Sequence, residues 1–304
     1  MSMDITEWQI NLREEDLSLL EALALRVPAA SGAFLRQLCK KQRVAVNKQP
    51  AEADSHVHAG DIIEVKTSQR WQECLAQSHL EPAQILYEDA QCMVVNKPAG
   101  LAIHHALDHD DNLLLRIRNF LRLRGETFQV APIHRLDIGT SGAVLFGKGR
   151  ASISQLGQMI MAGEMTKHYL ALVEGCIKRS GELNSAVPAK GSMKTALSRF
   201  RPVANTNQYT LLELELVTGR HHQIRRQLAE IGSPIIGDSR YRGTVVNDMD
   251  RPFLHCHHLV FRQPATDKTV EIHCRLSQDL SMLLNFLGFS EISLREKDEE
   301  NSAT

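Results

Sequence analysis

The segment YTLLELELV, residues 209–217, alternates Leu212, Leu214 and Leu216 with Glu213 and Glu215. A period of two puts one face of a strand in a core and leaves the other wet, the pattern of an antiparallel sheet covered on one side. CMVVNKP, GAVLFGK and HYLALVEG, read along the chain before it, share strand character. Helical segments fall between these strands without strict alternation. The pattern therefore predicts an α+β domain with a largely antiparallel, mixed sheet flanked by helices. One helix is expected within TGRHHQIRRQLAEIG, with Ile224, Leu228 and Ile231 facing inward and Gly232, Ser233 and Pro234 stopping it.

Upstream the pattern changes. Leu19, Leu23 and Val27 repeat at helical spacing between Asp16 and Val27, and Ser31 is a natural N-cap for a second helix with Phe34, Leu35, Leu38 and Cys39 on one face. Arg36, Lys40 and Arg43 fall on the other face. Two short strands follow within VAVNKQPAEADSHVHAGDIIEV. Residues 1–66 thus read as a small α+β domain, 67–82 as a linker without clear periodicity, 83–290 as the main domain and 291–304 as a charged, disordered tail.

Charge distribution bears on partners. The 304 residues carry a formal net charge of -1, which does not suggest nucleic acid. The acids, however, crowd the two ends, in Glu14, Glu15 and Asp16 and in REKDEE. Basic segments free of acids run over Arg36–Lys48, Arg116–Arg124 and Lys190–Arg201. Three such segments in a neutral chain favour a polyanionic ligand over simple solvated faces. No run approaches the roughly 18 apolar residues of a membrane span, and the N-terminus has no basic-then-apolar pattern. The six cysteines show no CxxC spacing. A cytoplasmic, unexported protein with reduced thiols is expected, without membrane contact and as a monomer.

HRLDIGTSG, residues 134–142, carries the clearest chemistry. Asp137 lies in a loop before the strand AVLFGK, Gly139 and Gly142 permit tight turns, and Thr140 and Ser141 can fold their hydroxyls onto local amides. Arg220, where a strand turns into a helix, is the candidate to keep Asp137 ionised, although spacing alone does not pair the two; an arginine there can equally be a surface or phosphate contact.

HRLDIGTSG resembles the HRLDxxTSG signature of the RluA-type pseudouridine synthases, matching its seven fixed positions. VVNKPAGLAIH (94–104) is similar to the family's first motif, KHYLALVEG (167–175) to its K-x-Y strand, and TGRHHQIRRQLAEIGSPIIGDSRY to its third motif, in family order. The N-terminal unit resembles the small ribosomal-protein-like RNA-binding domain that many of these enzymes carry. The resemblance implies isomerisation of specific uridines in structured RNA, rRNA or tRNA, with no cofactor and no metal. It makes Asp137 the essential carboxylate, attacking the anomeric carbon or abstracting a sugar proton. Arg220 would pair with it, and Tyr169 would stack on the flipped base and assist proton transfer. Arg135 would fill the vacated stack, Asn96, Lys97, Thr140 and Ile224 would shape the site, and Arg36, Lys40 and Arg43 would grip phosphates.

Departures concern substrate choice more than activity. GRHHQIRRQ replaces the usual GRTHQIRVH at His221, Arg226 and Gln227, and the paired arginines resemble a tRNA-modifying branch. Ile138-Gly139 replaces a pair that is often charged. Two rival readings are a non-catalytic RNA-binding protein of the same fold and a metalloenzyme built on the His-rich stretches HHALDHDD (104–111) and HCHH (255–258).

Overall fold

Serine caps set the two N-terminal helices. In the computed structural model, which describes residues 5–12, 14–78, 84–104, 111–189 and 192–289, the Ser18 hydroxyl accepts from the Glu21 amide and the Glu21 carboxylate accepts from the Ser18 amide. This capping box starts α1 (Leu19–Arg26) three residues later than the apolar spacing suggests. Ser31 caps α2 (Gly32–Lys40) through the Phe34 amide, as expected. Leu19, Leu23, Val27, Leu35 and Leu38 are buried together with Val44, Ile63 and Val65 of the neighbouring sheet. Arg36 and Lys40 are exposed and Arg43 is half-buried.

That sheet has four antiparallel strands, β1 (Ile5–Gln9), β2 (Val44–Val46), β3 (Gln49–Pro50) and β4 (Ile62–Lys66), in the order β1-β4-β2-β3. The sequence reading missed β1, a short strand with no large apolar residue buried along it. Glu14, one of the acids that crowd this end of the chain, is paired internally. Glu14 is buried, and both of its oxygens receive the Arg26 guanidinium at 2.7 and 2.6 Å.

The expected linker is a second correction. Gln69–Ser78 forms α3, and Trp71 is fully buried in the N-terminal core with its indole N–H donating to Thr6 Oγ1 at 3.0 Å. Cys74 and Leu75 pack on the same core, so Trp71, Cys74 and Leu75 do show helical spacing. Residues 79–82 of that stretch lie outside the described residues, as do the tail from 291 and most of HHALDHDD.

The remaining strands are β5 (Ile85–Glu88), β6 (Cys92–Lys97), β7 (Val130–Pro132), β8 (Ser141–Lys148), β9 (Thr166–Glu174), β10 (Gly181–Ala189), β11 (Ser192–Asn205), β12 (Tyr209–Leu216), β13 (Leu254–Arg262) and β14 (Thr269–His273). They follow the order β10-β11-β12-β9-β13-β8-β6-β5, with β14 on β13 and β7 on β8; along the chain, α4 (Leu113–Leu123) falls between β6 and β7 and α5 (Arg150–Ala162) between β8 and β9. The pairs of β9 to β14 with one another are antiparallel, while β8 runs parallel to β13. The chain is thus α+β with a large, mostly antiparallel sheet. By internal contacts it divides into residues 1–93, 101–135 and 145–154 in one unit and 94–100, 136–144 and 155–304 in the other. The second unit holds Asp137 and the segments considered below.

In β12, Leu212 and Leu214 are buried, and Glu213 and Glu215 face ion-pair partners instead of open water. Arg201 donates to Glu213 at 2.6 Å, and Arg199 meets Glu182 and Glu215. Arg199 and Arg201, at the end of that basic stretch, are therefore paired with acids across the sheet. Within Arg116–Arg124, Arg116 pairs with Asp111 and Arg124 with Glu88 and Glu126, while Arg118 and Arg122 stay exposed. On α2, Arg36 and Lys40 are exposed and form no ion pair among the described residues. No described helix is long and apolar enough to cross a membrane.

Replacing Trp71 by alanine is expected to cost the N-terminal unit about 3–5 kcal/mol, read as a lower urea midpoint by tryptophan-independent circular dichroism. An unchanged midpoint would mean that α3 is not part of that core.

Candidate active site

Backbone bonds fix the Asp137 loop before any side chain is considered. The Thr140 amide donates to the Asp137 carbonyl at 3.0 Å, and the Gly100 amide donates to the Ile138 carbonyl at 2.8 Å. The Lys97 ammonium, fully buried at the end of β6, donates to the carbonyls of Pro98 and Ile138 at 2.8 and 3.1 Å. Gly139 packs so closely on Pro252 that a Cβ would lie 3.0 Å from its Cδ, and its carbonyl accepts from Arg251 at 3.3 Å. Gly142 is at φ +113°, and a Cβ there would stand 2.3 Å from the Cys256 carbonyl oxygen. Only glycine lets β8 lie against β13 at this point. Ser141 does not turn onto a local amide as expected; its hydroxyl meets His255 Nδ1 at 2.9 Å. The Thr140 hydroxyl does not turn onto a local amide either: it is buried and has no hydrogen-bond partner among the described residues.

Asp137 itself is 18% exposed. Arg225 Nη1 and His222 Nε2 each stand 3.6 Å from Asp137 Oδ2. The expected partner, Arg220, is not there: its Nε donates to the Thr195 carbonyl at 3.3 Å and its amide to Gln223 Oε1 at 3.0 Å. The reason is helix geometry. α6 (Gln223–Glu230) has His222 as its N-cap, and helical side chains lean toward the N-terminus, so Arg225 in the first turn reaches back over the helix start. Arg220 precedes the helix and leaves in another direction. A sequence signal existed, because Arg225 lies between Ile224 and Leu228 on a buried face, where a guanidinium needs a carboxylate.

That carboxylate is Asp238, 1% exposed, which takes Arg225 Nε and Nη2 at 2.6 and 2.7 Å. The fork holds the guanidinium with its third nitrogen toward Asp137. Its carbon also sits 5.1 Å from the centre of the Tyr241 ring. Tyr241 Oη in turn meets His222 Nδ1 at 3.0 Å and Arg226 Nε at 3.1 Å. Burial, with Arg225 among the opposing cations, pulls His222 down to about 4, so it is a neutral hydrogen-bonding group beside Asp137. Arg225, His222, Asp238, Tyr241 and Arg251 were all missed as site residues from sequence.

Tyr169 lies in the K-x-Y stretch of the sheet. On β9 it pairs in register with Cys256 of β13, is 4% exposed, and burial pushes its phenol well above the usual range, Cys256 and Asp137 adding to the effect. It is a neutral phenol within the electrostatic reach of Asp137. Ile224 is buried beneath the helix start, Asn96 is half-buried on β6, and Arg135 is exposed two residues before Asp137. Ile231, expected inward, is 49% exposed because the helix has already ended.

Two departures acquire physical roles. Gln227 is buried, accepts from Ser198 Oγ at 2.8 Å, and donates to the carbonyls of Leu183 and Ala196 at 2.9 and 2.8 Å. It fastens α6 to the hairpin β10–β11. His221 stacks on His222 with ring centres 3.8 Å apart. Asp137, His221 and His222 offer ligand atoms within 4.8 Å of one another, as do His258, Glu271 and His273. In the first group the Arg225 cation already faces the carboxylate. In HCHH, His255 bridges Ser141 and the Cys274 carbonyl, a structural use of the ring.

Burial, reinforced by Arg251 and opposed by Asp137, lowers Lys97 to about 7. Between that value and the unfolded one near 10.5, the unfolded chain holds a proton that the folded chain has lost, so stability contributed through Lys97 rises with pH across this window. The unfolding free energy of the wild type minus that of Lys97→Met is expected to climb from pH 7 to 10 in urea titrations; a flat difference would contradict it.

A family model described as RNA pseudouridylate synthase matches residues 91–230. Ribosomal large subunit pseudouridine synthase C of Escherichia coli (strain K12) is 31% identical over 288 residues, covering 84% of this chain and 88% of that one. An uncharacterized RNA pseudouridine synthase of Bacillus subtilis (strain 168) is 29% identical over 288 residues, with 90% and 94% covered. Among solved structures, human RNA pseudouridylate synthase domain containing 4 shares the fold with a TM-score of 0.57 at 21% identity, covering 67% of this chain and 93% of that one. The sequence motifs, the sheet that carries them and these relatives agree that the chain belongs to the RNA pseudouridylate synthase family.

Proposed function

We propose that this protein isomerises specific uridines in structured RNA to pseudouridine, with Asp137 as the essential carboxylate. The observation that carries the reading is a single reactive acid held by a pre-fixed guanidinium: Arg225 faces Asp137 at 3.6 Å while Asp238 occupies the rest of its fork. A glycoside hydrolase needs two working carboxyl groups. Here the second acid is spent on Arg225. An isomerisation breaks the bond from sugar to ring nitrogen, turns the base and rejoins it through carbon, with no water added and the base kept in the site. One carboxylate suffices, acting on the anomeric carbon or on a neighbouring sugar proton.

Tyr169 supplies a flat, buried phenol for the base and can relay the proton released from carbon. Arg135, exposed beside the loop, can occupy the stack left by a flipped uridine. Arg36, Lys40 and Arg43 hold phosphates at a second place. The names of the bacterial relatives make large-subunit ribosomal RNA the first host to test.

Tritium release from RNA labelled at uracil carbon five tests the reaction. Asp137→Asn is expected to release none while binding RNA with the wild-type affinity; release at the wild-type rate would remove Asp137 from the chemistry. Arg225→Gln is expected to lose on the order of 10²-fold in turnover, whereas Arg220→Gln stays within about threefold. The opposite ranking would restore Arg220 as the partner.

A further inference from the structure

An open cavity of about 630 Å³ lies on the far side of Tyr241, lined by Arg226, Glu230, Arg240, Tyr241 and Arg242 with Pro234 among its apolar walls. Three guanidiniums face one carboxylate. Arg226, Arg240 and Arg242 form no ion pair among the described residues, unlike Arg199, Arg201, Arg225 and Arg251 of the same unit. Unspent positive charge around a concavity is the footprint of a polyanion.

The arginines are also pre-arranged. The turn Ser239–Tyr241 that carries Arg240 is hung on Asp238, whose carbonyl accepts from the amides of Tyr241 and Gly243 at 3.0 and 2.9 Å. A Cβ on Gly243 would lie 1.8 Å from the Ile235 carbonyl oxygen, so the chain after Arg242 is pressed against its neighbour. Arg242 stands at φ +68°, a conformation that costs a non-glycine residue on the order of 1 kcal/mol and points it away from the regular path. Arg226 enters from α6 and is tied to Tyr241 Oη. Tyr241 is shared: its hydroxyl meets His222, its ring backs Arg225, and both of those residues face Asp137. Whatever occupies the cavity therefore sits one residue's width from the reacting carboxylate.

We propose that Arg226, Arg240 and Arg242 form a phosphate-gripping subsite for the RNA strand next to the target uridine. It rests on the isomerase reading for the identity of the polyanion. Guanidiniums that bind consecutive phosphodiesters fix the strand's register, so that the adjoining nucleotide reaches Asp137. This gives Arg226, one of the sequence departures, a task in substrate placement.

The test uses the full chain and fluorescent oligouridylate, with affinity measured against salt. Each lost phosphate contact lowers the slope of log affinity against log salt by about 0.7 for a single strand, so Arg226→Gln/Arg240→Gln/Arg242→Gln is expected to lower it by about 2. Arg240→Gln/Arg242→Gln, which changes only exposed side chains, is expected to lower it by about 1.4. Lysine at these two positions keeps the charge and is expected to restore the slope. With large-subunit ribosomal RNA transcript, the triple variant is expected to raise KM about tenfold and leave kcat within twofold. Wild-type slope and KM in both glutamine variants, or no rescue by lysine, would overturn the subsite. Wild-type tritium release from the same transcript tests the isomerase reading separately, because its absence removes that reading while the salt slope still decides whether these arginines hold RNA.

Discussion

The site depends on one buried ion pair, the two-pronged contact of Arg225 with Asp238 at 2.6 and 2.7 Å. Such a pair adds little net stability, because desolvation of both charges offsets most of their attraction. What it supplies is orientation. The same guanidinium closes α6 against the turn at Ser239–Tyr241, backs the Tyr241 ring and presents its remaining nitrogen to Asp137. Losing either partner would leave the other charge buried alone.

Much of the framework of the candidate site was legible in the sequence because it rests on local pattern. The alternation in β12 gave the sheet, and the run HRLDIGTSG gave Asp137 together with the glycine that its strand needs. Tyr169 was placed by motif, since its own surroundings read as an ordinary core strand. Arg225 was passed over in favour of Arg220 because the choice depends on which way a side chain leaves a helix start, information that spacing does not carry. Asp238 and Tyr241 lie in GDSRY, at the end of the third-motif stretch, but only the tertiary fold shows that they reach the site.

The misreadings at the N-terminal end have a common cause. Glu14 was counted with an acidic end and α3 was read as linker because a charged residue and an irregular-looking stretch were judged by composition. Each is decided by one long-range partner, Arg26 for the first and Thr6 for the second. The basic segments show the same limit: Arg199 and Arg201 are spent on acids distant in sequence, and only the structure separates them from Arg36 and Lys40.

The Ile138-Gly139 pair, which breaks the family habit, is fastened by the Gly100 amide, Lys97, Arg251 and Pro252, and three residues on Gly142 is held backbone to backbone against Cys256. A loop anchored at both ends has little freedom to mould itself around a guest. Under the proposed isomerisation, the deformation that brings a uridine to Asp137 falls on the RNA, and candidate substrates are ranked by how cheaply their own stacks open. Selection of that kind reads the mechanical softness of a nucleic acid as much as the letters it displays.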